Sequence, residues 1–211
     1  MPRVRIDPAG LPFVLGALAA AFIAGVGVTW WIALPFLVLA GFFLFFFRDP
    51  ERRSSTDPSA VLSPADGRVL IAGSALPEAA PPGDWWQVSI FLSPMDVHVN
   101  RVPASGRVTR VTYTVGRFLP AYRHDAGAVN ERTEIWIDHD GQPIVARQVV
   151  GILARRVVCR VATGATVRAG ERYGIMKFGS RMDVFVPITA EVRVKVGDAV
   201  RGGETIIAVL H

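Results

Sequence analysis

Cysteine occurs once in this chain, at Cys159, so no internal disulfide framework and no multi-thiolate metal site can exist. Lysine occurs twice, at Lys177 and Lys195, against 21 arginines. Residues 9–47 contain no Asp, Glu, Lys or Arg at all. There is no glycine loop of the P-loop or dinucleotide type, and no histidine pair at metal-ligand spacing, so metal ligands are read as none. The arginines are scattered, without the patch or aromatic interleaving of a nucleic-acid module. After residue 60 no stretch carries a long helical period.

What is present divides in two. The chain has 211 residues, is 51% hydrophobic and carries a formal charge of +5. Outside the charge-free block, 172 residues hold all 41 charged side chains, an ordinary density for a soluble domain. This sets an apolar segment, residues 1–50, beside a domain, residues 51–211, large enough for its own core.

The 39-residue block is too long for a signal peptide, and as one helix it would reach about 58 Å against a hydrocarbon layer of about 30 Å. It divides into Leu11–Ala24 and Trp30–Phe47, with Gly25, Gly27 and Thr29 weakening helix between them and Pro35 placed to kink the second piece. A helical hairpin is expected. One bent helix, or a buried helical pair of a soluble protein, is the alternative. Arg3 and Arg5 flank one end, and Arg48, Arg52 and Arg53 the other, which places both ends on the cytoplasmic side of a cell membrane.

The remainder reads as mainly β. Trp86, Val88, Ile90 and Leu92 alternate with Gln87, Ser89 and Phe91. Residues 133–138, 155–161, 181–186 and 191–196 are short and rich in β-branched side chains, and 118–126 could hold one short helix. Two motifs echo. Pro64-Ala-Asp-Gly-Arg-Val69 recurs at Pro103–Val108, and Gly164–Glu171 recurs at Gly197–Glu204. The second is similar to turns of barrel-sandwich hybrids, so a compact, quasi-symmetric β-barrel or sandwich is expected.

Four segments could carry chemistry: Ser63-Pro-Ala-Asp-Gly67, Phe91-Leu-Ser-Pro-Met-Asp-Val-His-Val-Asn-Arg101, Asn130-Glu-Arg132 and Lys177-Phe-Gly-Ser-Arg-Met-Asp183. Taken alone, each reads as a turn. Together, in this order and after an apolar N-terminus ending Phe-Phe-Arg-Asp-Pro-Glu-Arg, they resemble the short bacterial form of the phosphatidylserine decarboxylase proenzyme family, over nearly the whole chain.

The resemblance implies that the chain cuts itself between Gly179 and Ser180. Ser180 Oγ attacks the Gly179 carbonyl, and the resulting ester is eliminated. Ser180 then becomes a pyruvoyl group capping an α chain, 180–211, paired with a β chain, 1–179. His98 would be the base and Asp66 its partner, since a serine hydroxyl needs a base and an acid that holds the imidazole raises its competence. The pyruvoyl group would serve as the electron sink for decarboxylating phosphatidylserine to phosphatidylethanolamine. A pyridoxal cofactor is the rival sink, and two lysines without a phosphate loop suit it poorly. The implied partners are phosphatidylserine in the membrane, an anionic lipid surface and the two chains of the cut protein, with no nucleic acid and higher oligomers left open. The competing readings are a membrane-anchored lipoyl-like adaptor without activity, and the same decarboxylation of an ether-lipid serine analogue.

Overall fold

A computed structural model describes residues 4–152, 157–177 and 179–211. It divides into two compact units, Met1–Glu51 and Arg52–His211.

In the first unit, β1 (Val4–Ile6) leads into α1 (Leu11–Gly27), which turns through Trp30–Ile32 into α2 (Ala33–Phe46) and β2 (Arg48–Pro50). The hairpin is present, and its two feet are tied together: β1 and β2 pair antiparallel, Arg5 opposite Asp49, and the Asp7 N–H donates to Phe47 O at 2.9 Å. Phe13 packs against Phe43 and Phe47 across the helices, ring centroids 5.4 Å apart. Pro35 falls in the first turn of α2, where its missing N–H would have no partner within the helix anyway. Leu15, Phe22, Ile23 and Val26 are exposed, and so are Trp30 and Trp31 at the turn. With the short turn Pro8–Gly10 before it, α1 forms a 20-residue apolar helix, long enough to cross a membrane; the second apolar helix, Trp30–Phe46, is shorter.

The second unit is mainly β. Its strands are β3 (Ala60–Leu62), β4 (Gly67–Ser74), β5 (Trp85–Leu92), β6 (Val99–Arg101), β7 (Gly106–Thr114), β8 (Arg132–His139), β9 (Gln142–Val150) and β10 (Val157–Cys159). They continue as β11 (Thr166–Val167), β12 (Arg172–Met176), β13 (Ser180–Pro187), β14 (Glu191–Val192), β15 (Ala199–Val200) and β16 (Ile206–Val209). The strand expected over 155–161 is β10, with 155 and 156 outside the described residues, and the one expected over 191–196 shrinks to β14. The helix expected at 118–126 is absent. The chain there runs in turns, and one helical turn, α3 (Ala126–Val129), forms later.

Eight strands form one antiparallel sheet in the order β11-β7-β8-β9-β13-β5-β4-β15, and two three-stranded sheets, β14-β16-β3 and β10-β12-β6, complete the unit. The sequence echoes are a structural repeat. Ala199 and Val200 pair with Arg68 and Gly67, just as Thr166 and Val167 pair with Arg107 and Gly106. Each long strand then breaks register at the same place, Val69/Ile71 and Val108/Arg110. One half is β3–β5 plus β13–β16. The other, β6–β12, is inserted within it. The two halves meet where β13 pairs with β9.

Val69, Val88, Ile90, Leu92, Val108, Ile135, Ile137, Ile144, Met182 and Val184 share one buried core. Each large aliphatic side chain so buried contributes about 1.5–3 kcal/mol. The opposite face of the central strands is buried as well, and it is polar: Gln87, Ser89, Arg147, Arg181 and Asp183 are all inaccessible. Arg181 Nε donates to Asp183 Oδ1 at 2.5 Å and Nη2 to Ser89 Oγ at 3.1 Å. Arg147 donates to Glu134 at 2.6 Å and to the carbonyls of Ala79 and Gly127. Isolated, these charges would cost several kcal/mol each to bury; hydrogen-bonded pairing offsets that.

Candidate active site

Register brings all four candidate segments to one edge of the large sheet. Ser180 opens β13 opposite Leu92, the last residue of β5, and Val150, the last of β9. Arg68, two residues after Asp66, pairs with Phe91. Asn130 reaches the same edge: its Nδ2 donates to Val150 O at 2.9 Å and Leu119 O at 2.8 Å, while its Oδ1 accepts from Leu119 N–H at 3.1 Å. That side chain stitches the 117–130 loop to the end of β9. Glu131 O accepts from Val150 N–H at 3.1 Å and Arg132 begins β8, so the Asn130–Arg132 triplet is a seam.

The segment 176–180 is held at both ends. Met176 N–H donates to His98 O at 3.3 Å, and Ser180 sits in the ladder with Leu92. Lys177 and Gly179 lie between, half-buried. Gly179 has φ +77°, a left-handed conformation that costs other residues about 1–2 kcal/mol. Its carbonyl oxygen lies against Gly151: a Cβ added to Gly151 would be 2.3 Å from it.

Ser180 is fully buried, and among the described residues its Oγ has no hydrogen-bond partner. By strand alternation it faces the core with Met182 and Val184, while Arg181 faces the polar layer. A buried hydroxyl without a partner costs about 1–3 kcal/mol, which a fold tolerates for a reason.

His98 is fully buried, with Nδ1 3.0 Å from Asp96 O. A carbonyl only accepts, so Nδ1 carries the hydrogen and the lone pair of the neutral ring is on Nε2. The partner expected for this ring was Asp66. In the structure the Asp66 oxygens are taken up elsewhere: Oδ2 by Arg52 Nη2 at 2.7 Å and Oδ1 by the Gly202 N–H at 2.7 Å. The Gly202 bond is the counterpart of the Ala169 N–H bond to Ser105 Oγ, 3.0 Å, in the other repeat. Asp66 connects to the His98 strand through backbone, because Pro64 O accepts from Arg101 N–H at 2.8 Å. Arg52 also reaches Glu204 at 3.3 Å. Burial pushes the Glu204 carboxyl up, but the Arg53 N–H and the Arg52 guanidinium outweigh it and hold the group below its ordinary range.

The sequence did not point to Gln148, nor to its partner Asn100 within the His98 segment as a residue of its own. Both are fully buried, joined Nε2 to Oδ1 at 2.8 Å. Gln148 lies on β9 two residues before Val150, the partner of Ser180, and so on the same face. Among the described residues Gln148 Oε1 and Asn100 Nδ2 have no partner. The only signal was a polar residue inside an apolar strand. Cys159 is no rival nucleophile, since burial pushes its thiol up, only partly offset by a backbone hydrogen bond with Val161. Among the described residues no cluster of three or more His, Cys, Asp or Glu could hold a metal ion.

The family model described as phosphatidylserine decarboxylase matches residues 39–208. Three relatives, each named phosphatidylserine decarboxylase proenzyme, match almost end to end. The protein of Gluconacetobacter diazotrophicus is 42% identical over 212 residues, covering 97% of this chain and 94% of its own. That of Chlorobium chlorochromatii is 44% identical over 195 residues, 92% and 91%. That of Nitrosomonas europaea is 39% identical over 211 residues, 100% and 97%.

Proposed function

This chain belongs to the phosphatidylserine decarboxylase family, and from that premise we propose how its residues make and use a catalytic group. The reaction is loss of the serine carboxyl of phosphatidylserine as CO2, leaving phosphatidylethanolamine. The group is a pyruvoyl made from Ser180 by cutting Gly179–Ser180. The observation that carries this reading is the buried Ser180 Oγ, without a partner among the described residues, directly after a left-handed Gly179.

In the cut, Ser180 Oγ adds to the Gly179 carbonyl carbon and its proton passes to His98 Nε2. The Gly179–Ser180 C–N bond breaks, the freed amine takes a proton, and an ester remains. Removal of the Ser180 α-proton then expels the Gly179 carboxylate, so 1–179 ends in a carboxylate and residue 180 is dehydroalanine. Its enamine tautomerises to an imine, and water releases ammonia to leave the ketone. His98 is suited to the proton steps because its Nδ1 hydrogen is held by Asp96 O, which fixes the basic nitrogen. Asp66 is a positioning residue here: it holds the Pro64–Gly67 turn through Arg52 and Gly202, and that turn holds Arg101 at the end of β6, the strand that follows His98.

When formed, the pyruvoyl carbonyl supplies an electron sink for the carbanion left by CO2. The chain's own part is to hold position 180 within the core and to supply a proton, a role that falls to His98 in this reading. The apolar hairpin with its basic flanks, Arg5, Arg48 and Arg53, suits the cytoplasmic face of an anionic membrane, where the substrate resides.

Intact mass tests the reading. Wild-type protein should separate into a 179-residue chain and a 32-residue chain, 180–211, capped by pyruvoyl. Ser180→Ala should remain one chain of 22.9 kDa. His98→Gln should slow the cut by about 10²-fold or more. A Ser180→Ala chain that still splits there defeats the proposal.

A further inference from the structure

We propose that the apolar hollow beside Gly179 seats an acyl chain of the phospholipid substrate, an inference that rests on the decarboxylase reading above. The hollow has a volume of about 340 Å³, and Phe91, Pro120, Tyr122, Gly151, Ile152 and Gly179 line it. That is near the lower end of ligand clefts, about 300–1,000 Å³.

Position is the first argument. Gly179 is the residue on the carbonyl side of the bond that is cut, and Gly151 lies against its oxygen. Whatever occupies this hollow is next to position 180. A larger hollow of about 610 Å³, lined by Ser74, Trp85, Trp86 and Ile188, is at the opposite end of β5. Trp86 and Leu92 are separated by about 20 Å of strand at about 3.3 Å per residue, so that hollow cannot serve a group at Ser180 directly.

Chemistry is the second. The walls are hydrocarbon and aromatic ring, with Phe91 and Tyr122 edge to face at 6.1 Å. The rim is left in solvent: Tyr122 is 62% exposed, Ile152 57% and Phe118, on the same loop, 39%. A diacyl lipid brings apolar chains to this place and an anionic phosphate beside them. Arg117 and Arg123 are exposed on the rim loop, Arg123 already bonded to Asp125 at 2.9 Å. An apolar slot beside a basic loop complements a phospholipid better than a free amino acid.

The first test uses the full chain in vesicles of phosphatidylcholine and phosphatidylglycerol. They carry a trace of phosphatidylcholine with a photoactivatable diazirine in one acyl chain. After irradiation, labelled peptides should include Phe91–Pro94, Pro120–Tyr122 or the one bearing Ile152, besides those of α1 and α2. The same should hold for uncut Ser180→Ala, so this readout does not depend on activity. Label confined to residues 9–47 overturns the proposal. The second test compares dioleoyl phosphatidylserine with glycerophosphoserine, which has no acyl chains. Ile152→Asp and Tyr122→Asp should each lower the ratio of the two kcat/KM values by about tenfold. An unchanged ratio also overturns it. Labelling of the rim without decarboxylation by cut wild-type protein would instead defeat the assigned reaction and leave the acyl-chain site standing.

Discussion

Gly151 and Gly179 set the geometry of the bond proposed to break. Gly179 needs no side-chain room, since among the described residues nothing lies within 4 Å of the place its Cβ would take; it is glycine for its φ. Gly151 is the reverse case, in ordinary backbone but pressed on the Gly179 oxygen. Gly151→Ala should therefore move the carbonyl that Ser180 attacks, and a misplacement near 1 Å costs about 10²-fold. A time course of chain cleavage by intact mass should show that loss, with the melting temperature read alongside to separate misplacement from unfolding; cutting at the wild-type rate would refute the role given to Gly151. Ser180, Gly179 and His98 stood out in the sequence because short motifs in a fixed order carried them. Gly151, Gln148 and Asn100 were not, because their importance is in what they touch across strands. The side-chain partners of Asp66 were equally hidden, since Arg52 and Gly202 lie 14 and 136 residues away.

At the level of elements, the proposed cut falls on the seam of the repeat. The inserted half ends with β12 at Met176, and the interrupted half resumes with β13 at Ser180. β13 is bonded on both sides, by β5 through eight residue pairs and by β9 through six. Arg181 and Asp183 add a buried ion pair at its first turn of sequence. Chain 180–211 should therefore stay with chain 1–179 through gel filtration in native buffer and separate only in denaturant. Arg181→Leu leaves Asp183 buried without its cation, a change worth about 3–5 kcal/mol. It should lower the denaturant concentration at which the chains part; an unchanged midpoint would show that the pair does not anchor the strand. The turn echoes and the alternation at 86–92 announced this architecture. β9 escaped notice because it is buried on both faces and shows no alternation, the pattern a central strand shares with a buried helix.

For the whole molecule, the two units divide labour by solvent. Residues 52–211 own a core and all four site segments, and the hairpin owns the apolar surface. A protein lacking residues 1–51 should be soluble and still cut itself, while losing co-flotation with anionic vesicles. Failure to cut would mean the hairpin is needed to build the site. Composition alone announced this division, because 39 uncharged residues in one block have few other uses. The seam also has a consequence in time. Before the cut, β13 finds its place between β5 and β9 as part of one chain, and its encounter with them is intramolecular. Afterwards the same strand belongs to a separate molecule, and refolding depends on two chains meeting at whatever concentration the solution holds. Maturation thus makes the fold a one-way commitment: the precursor can fold repeatedly, whereas the finished enzyme, once unfolded and diluted, has no unimolecular route back.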